Sequence, residues 1–214
     1  LLEDPRSATD AASATLRLVS ARLFNALTAA LNPKSLPGTP ISGLDRVAEA
    51  LDPTQEFLDR IQVDLPPGEM RARRATLVHV LDHVSRLLDR CRQNDRIATL
   101  RSDARLIRLS GLLRNVTHEV ASLNDLATAE ARLGRLQALM LRQYHRYRDR
   151  ASTAIELGGE PDILDRLDSA RWLYRTTHHL WRIAFHLQRD EQAALADRRA
   201  AAEILDIDRK TDRP

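Results

Sequence analysis

Two short segments of the chain resemble each other at a spacing of 96 residues. Residues 82–87 in the first half correspond to residues 178–183 in the second half. In each segment a histidine, His83 or His179, stands three positions before an arginine within a long amphipathic helix pattern. An internal repeat of this kind restricts the fold more than any single residue does. It predicts one helical unit built twice, with functional residues at matching positions of the two copies.

The composition favours helix over sheet. Ala, Leu and Arg dominate the 214 residues, and aromatic residues make up only 4%. Ala, Leu and Arg lose little free energy on entering a helix, whereas sheets are enriched in β-branched and aromatic residues. The single cysteine, Cys91, excludes an internal disulfide framework and fits a reducing compartment. Its arginine neighbours leave a reactive thiol open as an alternative to an inert one.

The spacing of apolar residues predicts six long helices. Pro53 lies inside the second helix and predicts a kink or a brief break there. Long amphipathic helices with short connections bury their apolar stripes in bundles, so we expect an all-α protein of two tandem antiparallel three-helix bundles. The predicted domains are residues 1–93, residues 94–190 and a charged C-terminal extension, 191–214, which either extends the sixth helix or forms a separate one. The predicted helices are approximately 10–31, 42–61, 69–92, 94–122, 125–157 and 161–189.

Acidic residues of the third predicted helix form a candidate metal site. On a helix of 100° per residue, Asp82, Arg86 and Asp89 share one flank. Two carboxylates seven positions apart can bind a hard cation if a second helix adds further oxygen ligands. The alternative is an ordinary charge pair on a solvated face, which contributes only about 0.2–0.5 kcal/mol.

Histidine and arginine residues form a candidate interaction face on the third and sixth predicted helices. Histidines of the sixth helix could also ligate a transition metal, although a histidine in an arginine-rich helix is usually a polar surface residue. No zincin, catalytic-triad, phosphate-loop or dinucleotide-binding motif is present, so we expect no enzymatic activity. The predicted interaction face comprises His79, His83, Arg86, Arg175, His178, His179, Arg182 and His186.

The fifth predicted helix is rich in arginine and offers a possible contact with a phosphate polymer. Its arginines point in several directions, and Glu130, Asp149 and Glu156 dilute the positive field. Nucleic acid is therefore not an expected partner. A module that binds polyphosphate or another polyanion through arginine and histidine of the last two helices remains an alternative.

Two stretches of the chain, residues 48–58 and 78–87, resemble the PhoU domain family, which regulates phosphate uptake. The resemblance spans about residues 8–190 and is strongest to the PhoU-like domain that follows the membrane region of bacterial sodium/phosphate cotransporter relatives. It implies two three-helix bundles and a regulatory role. The family holds metals with paired acidic residues, but Ser85 occupies the first such position here and only Asp89 keeps the second. Trp181 and Phe185 replace both positions in the second copy.

We therefore expect a regulatory or interaction domain linked to phosphate uptake. It would lie in the cytoplasm at the inner face of the plasma membrane and dock on a membrane transporter or on its own transmembrane region. The chain begins without a methionine, which suggests a segment of a longer polypeptide. A homodimer is a further expectation, and no cofactor is expected beyond a divalent metal at the incomplete acidic motif. A metal-binding helical bundle, including a metal-dependent hydrolase, is the remaining alternative.

Overall fold

The computed structural model describes residues 4–35, 41–61, 68–156 and 162–211. All regular elements in these ranges are helices, which confirms the all-α prediction. None of the described helices combines the length and apolar character that crossing a bilayer requires. The helices are α1 (Pro5–Ala30), α2 (Leu44–Arg60), α3 (Glu69–Cys91), α4 (Asn94–Thr99), α5 (Ala104–Val120), α6 (Leu126–Glu156) and α7 (Ile163–Thr211).

Helices α1 and α2 differ from their predicted forms at two proline residues. The first helix starts at Pro5 rather than near residue 10, because Asp4 caps it by accepting a hydrogen bond from the backbone N–H of Arg6. In α2, Pro53 lies inside one uninterrupted helix, so the predicted break is absent. Leu51 and Leu58 on either side of the proline are buried, and their packing offsets the loss of the proline hydrogen bond.

The fourth predicted helix, 94–122, is two helices in the structure. The short α4 ends at Thr99, and α5 begins at Ala104. Asp103 separates them, because its carboxylate accepts hydrogen bonds from the backbone N–H groups of Arg105 and Leu106 and so caps a new helix. The described residues thus form seven helices, and the prediction of six is not confirmed.

Helix α7 continues without interruption through most of the predicted C-terminal extension. It runs from Ile163 to Thr211. As far as the structure describes residues 191–214, they extend the sixth predicted helix and do not form a separate one. Asp190, Ala194 and Asp197 are buried on this continuation. As far as Asp197, the continuation of the helix therefore packs against the rest of the protein.

The core is a single contiguous cluster of buried apolar side chains with contributions from α1, α2, α3, α5, α6 and α7. Helices α1, α2 and α3 contact one another, and α5, α6 and α7 do the same. The two groups meet where α1 contacts α5 and where α3 packs along α7. Arg73 near the start of α3 contacts Asp190 near the end of the packed part of α7, whereas Trp172 contacts Arg90. Helices α3 and α7 are therefore antiparallel.

The buried stripes of α3 and α7 match at the spacing of the sequence repeat. Each buried position of α3 has a buried counterpart 96 residues later in α7. Both helices therefore present the same face to the core, although their polar residues differ. The matched buried pairs are Arg73 and Ser169, Leu77 and Leu173, Val80 and Thr176, Leu81 and Thr177, Val84 and Leu180, Leu87 and Ile183, Leu88 and Ala184, and Cys91 and Leu187.

Candidate functional site: histidines and arginines between α3 and α7

The two repeat-related histidines meet at the centre of the contact between α3 and α7. The Nδ1 atoms of His83 and His179 lie 3.1 Å apart. On the other side of the His83 ring, the Nε–H group of Arg182 points at Nε2 over 3.5 Å. Since Arg182 can only donate, Nε2 of His83 is the acceptor, and the proton of a neutral His83 ring then lies on Nδ1. His83 therefore donates through Nδ1 to the Nδ1 atom of His179.

Three further histidines surround this pair, and together the five residues His79, His83, His178, His179 and His186 form what we call the histidine junction. The His186 ring stacks between those of His79 and His83, with centroid distances of 5.0 and 5.8 Å. The His178 ring meets those of His83 and His179 edge-on at 6.0 and 5.5 Å. Five of the seven histidines of the chain thus lie in one place.

Four histidines of the junction, His83, His178, His179 and His186, are uncharged at neutral pH because their pKa values are lowered. Burial, with a smaller contribution from the Arg182 charge, lowers the pKa values of His83 and His186 to about 4. Burial and the neighbouring His83 lower the pKa of His179 to about 3. Burial also lowers the pKa of His178. Adding a proton to any of these rings would place a cation beside arginines and other imidazoles.

Aromatic rings of α7 hold Arg182 over the junction. The guanidinium of Arg182 lies 5.6 Å from the ring centroid of Trp181 and 5.0 Å from that of Phe185, which is a cation–π geometry. The indole N–H of Trp181 donates to Glu130 of α6 at 2.9 Å. Trp181 and Phe185 occupy the two positions of the second copy where the resemblance implies acidic metal ligands. Their rings hold Arg182 in place instead of binding a metal.

Beside the junction, a groove of about 570 Å³ opens between the end of α3 and the start of α7. We call it the arginine groove. Arg90 and Arg175 face each other in it closely enough that the Arg175 charge, after burial, helps to lower the pKa of Arg90. The predicted face thus divides into the histidine junction, the arginine groove and Arg182, which touches His83. The groove is lined by Arg86, Asp89, Arg90, Gln93, Tyr174, Arg175, His178 and His179.

The predicted metal ligands, Asp82 and Asp89, each lie beside an arginine side chain. Both oxygens of Asp82 accept from Nε of Arg86 at 2.9 Å, and Asp89 lies 4.0 Å from Arg92. Two helical turns, about 10 Å along the axis, separate the two residues. Within the described ranges, no group of three or more His, Cys, Asp or Glu side chains is placed to hold a metal ion.

A buried ionic cluster that was not predicted from the sequence lies at the far end of the contact between α3 and α7. Arg73 is only 2% exposed and donates to Asp190 at 2.9 Å and to Asp10 of α1 at 2.7 Å. Asp197 lies 4.0 Å from the same guanidinium. The hydroxyl of Ser13 donates to Asp190 at 2.6 Å. A signal was present, because Arg73 lies four positions before Leu77 and therefore on its apolar stripe.

Comparisons of the chain with protein-family models, with curated proteins and with solved structures give no match.

Proposed function

We propose that this chain is a PhoU-like regulatory domain of two tandem three-helix bundles, comprising α1–α3 and α5–α7. It would regulate phosphate uptake from the cytoplasmic side of the membrane. In this proposal it docks on a transporter or on the transmembrane region of its own polypeptide. The sequence resemblance at residues 48–58 and 78–87 supplies the link to phosphate.

The contact between His83 and His179 is the observation that carries the proposal. Equivalent residues of two copies can touch each other when the copies pack around a twofold axis. Arg182 contacts His83, and the charge of its counterpart Arg86 acts on His179. This reciprocal arrangement supports duplicated helical triplets, as the resemblance implies.

A docking surface is available along the outer edge of the same contact. Side chains of α3 there are largely exposed, with Asp89 at 72% and Arg86 at 63%. Exposed charges of both signs contribute little to the stability of the fold but steer association with a charged partner. Such docking should weaken at high ionic strength because salt screens exposed charges.

Phosphate uptake in the native cell tests the proposal. Deletion of the coding region for this chain should change uptake of radiolabelled phosphate or its response to external phosphate, and the wild-type sequence should restore both. The variant Arg86→Ala should restore them poorly, because it removes an exposed charge from the docking surface. Arg22→Ala is the matched control, since Arg22 is an exposed arginine of α1 that does not line the groove.

Unchanged uptake after deletion, at both low and high phosphate, would refute the proposed role. Full restoration by Arg86→Ala would exclude this part of α3 as the docking surface. Circular dichroism of the purified variants must show unchanged helix content and unchanged melting, so that a folding defect is not read as a loss of docking.

A further inference from the structure

The arginine groove contains two guanidinium groups, those of Arg90 and Arg175, that form no ion pair with a described carboxylate, although the Asp89 charge acts on Arg90. Asp82 engages Arg86, and Asp89 lies at ion-pair distance from Arg92. Nearby on α7, Asp168 pairs with both Arg96 and Arg171 at 3.1 Å. Within the described part of the chain, no carboxylate forms an ion pair with Arg90 or Arg175. Three arginines and one carboxylate, that of Asp89, line the groove, so its net positive charge attracts an anion.

Uncharged polar groups complete the lining between these two arginines. Nδ1 of His178 is buried and has no hydrogen-bond partner among the described residues. His178 also lines the groove, and its neutral imidazole carries one N–H donor that its ring can offer to a ligand there. Tyr174, whose ring stacks on that of Tyr144 at 5.8 Å, also lines the groove, as does Gln93. All three side chains can donate a hydrogen bond.

The ligand class follows from this donor set. A divalent cation would be repelled by the arginines. A planar guanidinium donates two parallel hydrogen bonds to a phosphate or carboxylate, and phosphate offers additional oxygens to further donors. The groove continues past Arg90, Gln93 and Arg175 into a second groove of about 430 Å³, so a chain of phosphate groups also fits.

We infer that the arginine groove binds a phosphate-type oxyanion, held between Arg90 and Arg175 with donors from His178 and Tyr174. The source of the phosphate group is either inorganic phosphate or a short phosphate chain, and the chemistry of recognition is the same for both. This inference goes beyond the proposed function, because it holds equally for a helical domain that has no part in phosphate uptake.

Isothermal titration of the purified chain at low ionic strength, with inorganic phosphate and with tripolyphosphate, tests the inference. We expect saturable binding of at least one anion, and tighter binding of tripolyphosphate if a phosphate chain is the natural ligand. Arg175→Ala should weaken binding roughly tenfold or more, because a hydrogen bond between charged groups is lost. Arg175→Lys should retain part of the affinity, since it keeps the charge and loses the paired donors. Arg22→Ala should bind as the wild type does.

Absence of saturable binding of both anions would overturn the inference, and so would equal affinities of the wild type and Arg175→Ala. Arg90 is partly buried, and its replacement could disturb folding, whereas Arg175 is exposed and its replacement tests the site without that risk. The assay uses purified protein and is therefore independent of the uptake experiment. Anion binding and the effect on phosphate uptake can therefore be refuted separately.

Discussion

His83 and His179, separated by 96 residues in sequence, face each other through their Nδ1 atoms at 3.1 Å. This geometry accommodates one proton between the two nitrogens, and a second proton would bring two donors together. The pair lies where α3 crosses the matching stripe of α7. The protonation state of two equivalent residues is thereby coupled to the packing of the two helical groups.

Acid should destabilise the protein in the range where the histidines of the junction titrate. The folded-state pKa values of His83 and His186, lowered to about 4 by burial, lie below the ordinary value of 6.5, and that of His179 lies lower still. Between these values the unfolded chain binds more protons than the folded one, so stability is fully present above pH 6.5 and falls as the pH decreases. Urea denaturation should show a decrease of up to about 1.4 kcal/mol per pH unit for each histidine.

The double variant His83→Asn and His179→Asn identifies the source of this pH dependence. It should unfold more easily at neutral pH but show a flatter profile between about pH 6.5 and pH 4. His118→Asn is the control, because His118 is exposed at the end of α5. Hydrogen bonds from Ser7 and Thr128 lower the pKa values of Asp4 and Asp125, so these carboxylates titrate below the window. An equally steep profile in the double variant would contradict the assignment.

Cys91 should be chemically inert in the folded protein. Its side chain is fully buried, and burial raises the pKa of its thiol to about 12. At pH 8 roughly one molecule in 10⁴ would carry the reactive thiolate. Ellman's reagent should therefore label Cys91 only at the rate of unfolding, and promptly in guanidinium chloride. The matched control combines Cys91→Ser with Arg92→Cys, which moves the thiol to the adjacent exposed position. Equal labelling rates for the native wild type and this control would refute the prediction.

Apolar periodicity predicts well that the chain is helical and which helix faces are buried, because burial repeats with the helical turn. The matched stripes around Val84 and Leu180 follow from that periodicity. The apolar pattern does not predict which side chains of distant helices contact each other. The break at Asp103 depends on a cap and on a contact with α6, and the position of Asp190 depends on a guanidinium 117 residues earlier. For the acidic residues, spacing left a cation site and a charge pair both open, and in the structure Asp82 pairs with Arg86.

Removing Arg73 should cost far more than removing a surface arginine of the same region. The variant Arg73→Met would leave Asp190 and Asp197 buried without a counter-charge, and we expect a loss of about 3–5 kcal/mol in the free energy of unfolding. The control is Arg17→Ala, because Arg17 pairs with Glu191 at 3.0 Å in a half-exposed setting. That pair should contribute less than about 1 kcal/mol. Urea denaturation at pH 7 measures both values.

A second change separates the buried charge from lost packing. Adding Asp190→Asn to Arg73→Met removes one of the uncompensated carboxylates and should restore part of the lost stability. If the double variant is less stable than Arg73→Met, the cost arises from packing or from other hydrogen bonds of Asp190, such as that from Ser13.

Asp103 should stabilise the protein through two partners at once, the start of α5 and the Tyr147 side chain of α6. The Tyr147 hydroxyl donates to the same carboxylate oxygen at 2.8 Å, and burial, followed by the Asp103 hydrogen bond, raises the pKa of Tyr147 so that it stays protonated. Asp103→Ala should lower the free energy of unfolding by about 2–3 kcal/mol, combining a lost helix cap with a lost hydrogen bond. Urea denaturation at neutral pH measures this loss.

Asp125→Ala provides the comparison that isolates the contribution of Tyr147. Asp125 accepts from the backbone N–H of Thr128 at the start of α6 and is exposed, so its removal should cost less stability than the removal of Asp103. A double-mutant cycle of Asp103→Ala with Tyr147→Phe should give a coupling energy above about 0.5 kcal/mol, because the two side chains share a hydrogen bond. Strict additivity in that cycle would mean that Asp103 acts as a helix cap alone. The contact between α5 and α6 would then depend on apolar packing.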